Sequence, residues 1–274
     1  MGPVNDREDM EVQLKENERI DDLERNGYRI IQNRNRFCFG MDAVLLSGFA
    51  AEKEKSRLQK NKGQMKDSAL LAADLGTGTG IIPLLVYGRL CQCASPEKLQ
   101  IDALEIQEEM CDMAERSTRL NHLESRIHIY RGDLCQAAQI LGRGRYDVVT
   151  SNPPYMKRGG GLMNPDDSKA ISRHEVLCTF RDVAEQAAAL LKPGGRLYLV
   201  HRPERLPELI VTLKDAGLEV KRMRMVHSRQ EDKAAMVLLE AARGGGAFLT
   251  VEKPLIIYRE QGVYTEEIRN IYYY

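Results

Sequence analysis

The stretch Ala73-Asp-Leu-Gly-Thr-Gly-Thr-Gly-Ile81 decides how this sequence is read. It closes the apolar run Leu70–Leu75 and opens an apolar helical pattern over 81–90, so it marks a strand turning into a helix. Glycines at 76, 78 and 80 let backbone approach a ligand where any side chain would clash. A dinucleotide fingerprint needs G-x-G-x-x-G, and position 81 is isoleucine. A Walker loop needs Gly-Lys-Ser/Thr, and none follows. Nicotinamide cofactors and nucleoside triphosphates are both disfavoured.

Downstream of this loop the rhythm repeats. Strand-like runs at Leu99–Leu104, Ile127–Tyr130, Tyr146–Thr150 and Arg196–Val200 alternate with helical patterns over 108–121, 134–141 and 179–191. That order predicts an α/β fold: a doubly wound, mostly parallel, Rossmann-like sheet with helices on both faces. After Pro203–Ala216, the runs Leu218–Val226 and Ala235–Glu240 are joined by few residues, which permits only an antiparallel pair at the sheet edge. Upstream, Tyr28–Ile31 and Arg36–Phe39 read as a hairpin, Gly40 breaks it, and Asp42 caps a helix over Ala43–Ala51. Residues 52–67, with six bases against three acids, read as an exposed loop.

The 274 residues are 43% hydrophobic and 29% charged, enough to bury a core, with forty bases balancing forty acids. The balance hides an asymmetry: residues 1–25 carry nine acids against four bases, so the remainder is +5 and RNA is not excluded. The expected organisation is an acidic, frayed tail over 1–26, with room for one polar helix, and one domain over 27–274 whose first part, 27–52, is a hairpin-and-helix cap. No run reaches the length of a membrane span, and an acidic N-terminus is no signal peptide. The six cysteines form no C-x-x-C pair and no zinc spacing, so a reduced, cytoplasmic protein without metal is expected.

The second strand of the repeat ends Asp102-Ala-Leu-Glu105, where nucleoside-binding α/β folds place an acid for ribose hydroxyls; the third runs into Arg131-Gly-Asp-Leu134. On its own each has a plain reading, Glu105 as a surface residue at a helix start and Asp133 as a helix N-cap. The fourth strand runs into Tyr146-Asp-Val-Val-Thr-Ser-Asn-Pro-Pro-Tyr155, at the carboxyl edge of the sheet beside the glycine loop. Asn152-Pro153-Pro154-Tyr155 resembles a motif of enzymes acting on planar amino groups, whose delocalised lone pair makes them poor nucleophiles. The resemblance implies that the Asn152 side-chain oxygen and the Pro153 carbonyl accept the two N–H hydrogens, that the prolines stiffen the backbone, and that Tyr155 offers a ring for a flat base.

These motifs carry a resemblance. The D-x-G-x-G-x-G loop resembles motif I of class I S-adenosylmethionine-dependent methyltransferases, and Asn152-Pro153-Pro154-Tyr155 resembles motif IV of those acting on planar amino groups. The tetrad alone leaves adenine N6, guanine N2 and glutamine N5 open. The segment Tyr28–Leu46, with Phe39-Gly-Met-Asp-Ala43, is similar to the one preceding motif I in bacterial tRNA adenine-N6 methyltransferases that modify adenine 37 of a valine tRNA. The similarity spans roughly residues 27–272 and includes Arg173-His-Glu175, Leu191–Gly195, Val226–Arg229 and Pro254–Thr265.

The resemblance implies that S-adenosyl-L-methionine is held by Gly40, Asp42, Asp74, Gly76, Gly78, Gly80, Glu105, Ile106, Asp133, Leu134 and Asn152, and the target by Asn152 to Tyr155. It implies a tRNA partner; no membrane partner is expected, and the oligomeric state is left open with a monomer favoured. Lys157, Arg158, Arg202, Arg205, Lys221, Arg222, Arg224 and Arg229 form a candidate phosphate-tracking rim, and residues 156–171 a loop that orders over a flipped base. The rival readings are release-factor glutamine or ribosomal guanine methylation and, from another class, a non-catalytic sensor of S-adenosylmethionine that binds RNA.

Overall fold

Small and β-branched residues alternate along the central strands, and the alternation sorts them onto two faces. In the computed structural model, which describes residues 12–35, 38–60, 69–92, 98–153 and 178–273, Ala72, Val148, Tyr198 and Val200 point into one buried cluster. Their neighbours Ala73, Val149, Leu197 and Leu199 point into the other. Helices α1 (Met41–Lys60) and α2 (Ile81–Leu90) cover the first face. Helices α4 (Ala137–Ile140), α5 (Phe180–Leu190) and α6 (Leu206–Asp215) cover the second.

The strands are β3 (Leu70–Leu75), β4 (Leu99–Glu105), β5 (Ile127–Arg131), β6 (Tyr146–Ser151), β7 (Leu191–His201), β8 (Leu218–His227) and β9 (Ala234–Arg243). Their order across the sheet is β8-β9-β7-β6-β3-β4-β5. All run parallel except β9, which enters between β7 and β8 and is antiparallel to both. The expected fold class stands, including the antiparallel strands toward one edge. That edge is extended by β10 (Thr250–Val251) and β11 (Leu255–Ile256), both parallel to β8. A short hairpin of β12 (Tyr258–Glu260) and β13 (Val263–Tyr264) follows, then α7 (Glu266–Tyr273). The rings of Tyr258, Tyr264 and Tyr272 stack with centroids 5.3 and 5.6 Å apart. Helix α7 packs on α1 so closely that a Cβ on Gly48 would lie 3.1 Å from Ile271.

The structure corrects the reading upstream of the glycine loop. The strand antiparallel to β2 (Arg29–Asn33) is β1 (Glu18–Asp22), in the stretch read as a frayed tail or polar helix, while residues 36 and 37 of the expected partner Arg36–Phe39 lie outside the described residues. Its charges are answered by a third element: Arg116 of α3 (Glu108–Leu120) bonds Glu18 at 2.6 Å and Asp112 at 2.6 Å. β2 lies along α3 through Ile31 N donating to Ser117 Oγ and a reciprocal pair between Arg29 and Asn121. Helix α1 runs nine residues beyond the expected Ala51, through much of the span read as a basic loop. It continues because Glu54 turns inward, accepting from Tyr198 Oη at 2.6 Å and from Arg57 at 2.9 Å. β7 begins at Leu191, five residues before the expected start at Arg196, with a register shift between Tyr146 and Val148 of β6.

Candidate active site

The glycine loop leaves β3 at its carboxyl end. Gly76, Gly78 and Gly80 all have positive φ, at 74°, 57° and 86°. At Gly80 the Ala114 Cβ of α3 also stands 3.3 Å from where a side chain would start. At Gly76 and Gly78 a Cβ would meet nothing within 4 Å, so the loop presents bare backbone to open space. Gly76 N and Thr77 N both donate to Leu104 O, which ties the loop to the end of β4.

Glu105, at that end and 6% exposed, is the hub of the loop. Its carboxylate accepts from Gly78 N, Ile106 N and Gln107 N, each at 2.9 Å. It is therefore no surface residue. Asp74 is buried beneath the loop, with Oδ1 accepting from Thr150 Oγ1 at 2.6 Å. Its Oδ2 and the hydroxyl of Thr77 are buried without a hydrogen-bond partner. Burial, with neighbouring Glu105 adding to it, pushes the Asp74 carboxyl up to about 6, although the Thr150 hydroxyl favours the charged form. Asp133 follows β5 and accepts from Cys135 N at 2.9 Å, the capping role that its residue type allows. Leu134 beside it is half-buried.

Asn152 follows β6, whose Ser151 lies beside Leu75 in register, so the tetrad begins next to the glycine loop. The Asn152 amide donates from Nδ2 to Asp42 Oδ2 at 3.0 Å. Asp42 opens α1 and accepts from Ala43 N at 2.9 Å. Gly40 stands where a Cβ would be 2.7 Å from Asp42 Oδ1. Pro153 is buried. Pro154 and Tyr155 lie outside the described residues, as do Lys157, Arg158, the loop 156–171 and Arg173-His-Glu175.

Thus Gly40, Asp42 and Asn152 meet in one group, and Asp74, Gly76, Gly78, Gly80, Glu105 and Ile106 in another at the same sheet edge. Thr77 and Thr150 complete the setting of Asp74. Neither Thr77 nor Thr150 was singled out from the sequence, nor was Gln32, which holds Phe39 N at 2.9 Å.

The basic rim is largely corrected. Arg222 is 6% exposed, bonded to Glu240 and Glu252 with its guanidinium 3.7 Å over the Phe49 ring. Arg224 pairs with Glu267, Arg205 with Glu208, and Lys221 Nζ donates to three carbonyls of residues 246–248. Sequence patterning cannot distinguish such internally satisfied cations from free ones. Arg229 is exposed.

Arrangement and fold define a methyltransferase. The chain belongs to the methyltransferase small domain family, whose model matches residues 57–216. Among its relatives, the tRNA1(Val) (adenine(37)-N6)-methyltransferase of Tolumonas auensis is 28% identical over 216 residues, covering 79% of this chain and 81% of that one. The protein of the same name from Aeromonas hydrophila is 25% identical over 87% of this chain and 90% of its own. Among solved structures, a predicted O-methyltransferase of Agrobacterium tumefaciens superposes with a TM-score of 0.62 at 24% identity, over 84% of this chain and 94% of that chain. That likeness speaks for the fold. No helix among the described residues is long and apolar enough to cross a membrane.

Proposed function

We propose that this protein transfers a methyl group from S-adenosylmethionine to N6 of an adenine in tRNA, at position 37 of a valine tRNA. The carrying observation is the Asn152 side chain, held by Asp42 beside the glycine loop at the carboxyl edge of the sheet. The names of the curated relatives support the choice of adenine, and their coverage of most of this chain supports carrying it over.

The residues present fit the cofactor. Bare backbone at Gly76 and Gly78 faces open space, Glu105 stands behind it for ribose hydroxyls, and the unpartnered Asp74 Oδ2 and Thr77 hydroxyl are polar atoms left without a protein partner. Gly80 keeps α3 close, and the resemblance assigns Ile106, Asp133 and Leu134, which follow β4 and β5, to the base of the cofactor. When bound, S-adenosylmethionine supplies a methyl group on a cationic sulfur. The Asn152 oxygen and the Pro153 carbonyl accept the two N–H hydrogens of the target amine, turning its lone pair toward that methyl. The protein's contribution is positioning and electrostatics, and no strong base is required.

The test is methyl transfer from labelled cofactor to unmodified tRNA, ribosomal RNA and release factors in parallel, with nucleoside analysis. N6-methyladenosine in tRNA alone is expected. Label in guanosine or in release factor would overturn the substrate. Asn152→Ala should abolish transfer, by at least about 100-fold, while cofactor binding persists; binding without transfer by the wild type would instead favour a sensor.

A further inference from the structure

An asparagine side chain has two ends of nearly equal size and opposite hydrogen-bonding sense. Only one orientation of Asn152 presents an acceptor to an amine; the other presents an NH2 group that competes with it. Asp42 decides between them. Its Oδ2 only accepts, so at 3.0 Å it can face Nδ2 and not the amide oxygen. Asp42 is itself fixed through Ala43 N on Oδ1 and through the missing side chain at Gly40. The preceding Phe39 N donates to Gln32 Oε1 at 2.9 Å, and Gln32, 1% exposed, donates on to Asp21 at 2.8 Å. Two hydrogen bonds through Gln32 thus fix Phe39, and the chain 39–42 carries that anchorage from the β1–β2 hairpin to Asp42.

We propose that Asp42 is a positioning residue for the transfer step, holding the Asn152 amide with its oxygen toward the target and polarising that oxygen into a stronger acceptor. This rests on the reading of Asn152 as the contact to the target amine. Donation from Nδ2 to a carboxylate draws density toward the amide oxygen. In the transfer, the nitrogen–carbon bond forms as the sulfur–carbon bond breaks. Positive charge passes from sulfur to nitrogen, and one N–H proton then leaves to water. A carboxylate behind Asn152 favours charge at that nitrogen.

The experiment compares wild type, Asp42→Ala and Asp42→Asn in single-turnover transfer at saturating cofactor and tRNA, with cofactor affinity by calorimetry and melting curves as a check on folding. Asp42→Ala should slow transfer roughly 10- to 100-fold and leave cofactor affinity within about threefold of wild type. Asp42→Asn keeps an acceptor without the charge and should fall between. In an Asn152→Ala background, Asp42→Ala should cost nothing further. Cofactor affinity lost in step with activity, or a full second loss in that background, would make Asp42 a cofactor ligand and overturn the proposal.

NMR of the Asn152 side-chain amide needs no substrate. Its Nδ2 protons should shift on Asp42→Ala, and unmoved signals overturn the proposal even where transfer is slow. A wild type that methylates no tRNA while those signals do shift refutes the adenine reading and leaves the Asp42–Asn152 lock standing.

Discussion

Asp74 gives a prediction whose sign and size both follow from its surroundings. The carboxyl titrates near 6 rather than 3.8 because burial disfavours its charged form. The unfolded chain therefore loses this proton at lower pH than the folded chain. The penalty is absent below 3.8 and grows as pH rises, reaching its full value above about 6. A rise of this size corresponds to roughly 3 kcal/mol. Asp74→Asn keeps the shape, accepts from Thr150 and aims an NH2 group from the Oδ2 position toward the Thr77 hydroxyl. Above pH 7 the variant should melt about 5 °C higher than wild type; near pH 4 the two should converge. The assay is a set of thermal melts of both proteins without cofactor from pH 4 to 8, read as a difference curve so that other titrating groups cancel. A difference that stays constant with pH refutes the argument. The gain in stability should come at a loss of cofactor affinity, because the wild-type charge sits under the loop that receives a cationic ligand.

Gly40→Ala should push the Asp42 carboxylate off Asn152, slowing transfer by roughly tenfold with little change in melting temperature, as rate and melt measured together will check. Arg222→Met should destabilise by about 3–5 kcal/mol in urea, because Glu240, 1% exposed, is left without its main partner; adding Glu240→Leu should recover much of that. His201 is held down to about 4 by burial and by Arg205 beside it. The unfolded chain takes up this proton near 6.5, so stability is full above that value and falls as pH drops toward 4, and His201→Gln should flatten that limb of the melting profile.

The parallel sheet was legible because its strands are short apolar runs bounded by helices of the right period; Leu70–Leu75 and the helix 81–90 appear unchanged. The upstream region was not, for a physical reason. Glu18-Arg-Ile-Asp-Asp22 has a polar composition that signals solvent, and only the Arg116 guanidinium, 98 residues away, makes Glu18 a buried partner. Glu54 misled in the same way, since its inward position depends on Tyr198. In the candidate site, residue types pointed to Glu105 and Asn152. The direction of their hydrogen bonds, and the burial of Asp74, belong to the tertiary structure.

Two buried guanidinium groups, Arg25 and Arg89, both donate to the carbonyl of Ile271 in the last turn of α7. The Arg25 bond, 3.1 Å long, closes a loop of 246 residues. On a ribosome making the chain from its N-terminus, strands β3 to β7 emerge well before α7. Arg25 and Arg89 remain without this acceptor until residue 271 has emerged. A nascent chain stalled before α7 would hold both guanidinium groups short of an acceptor they have in the folded protein.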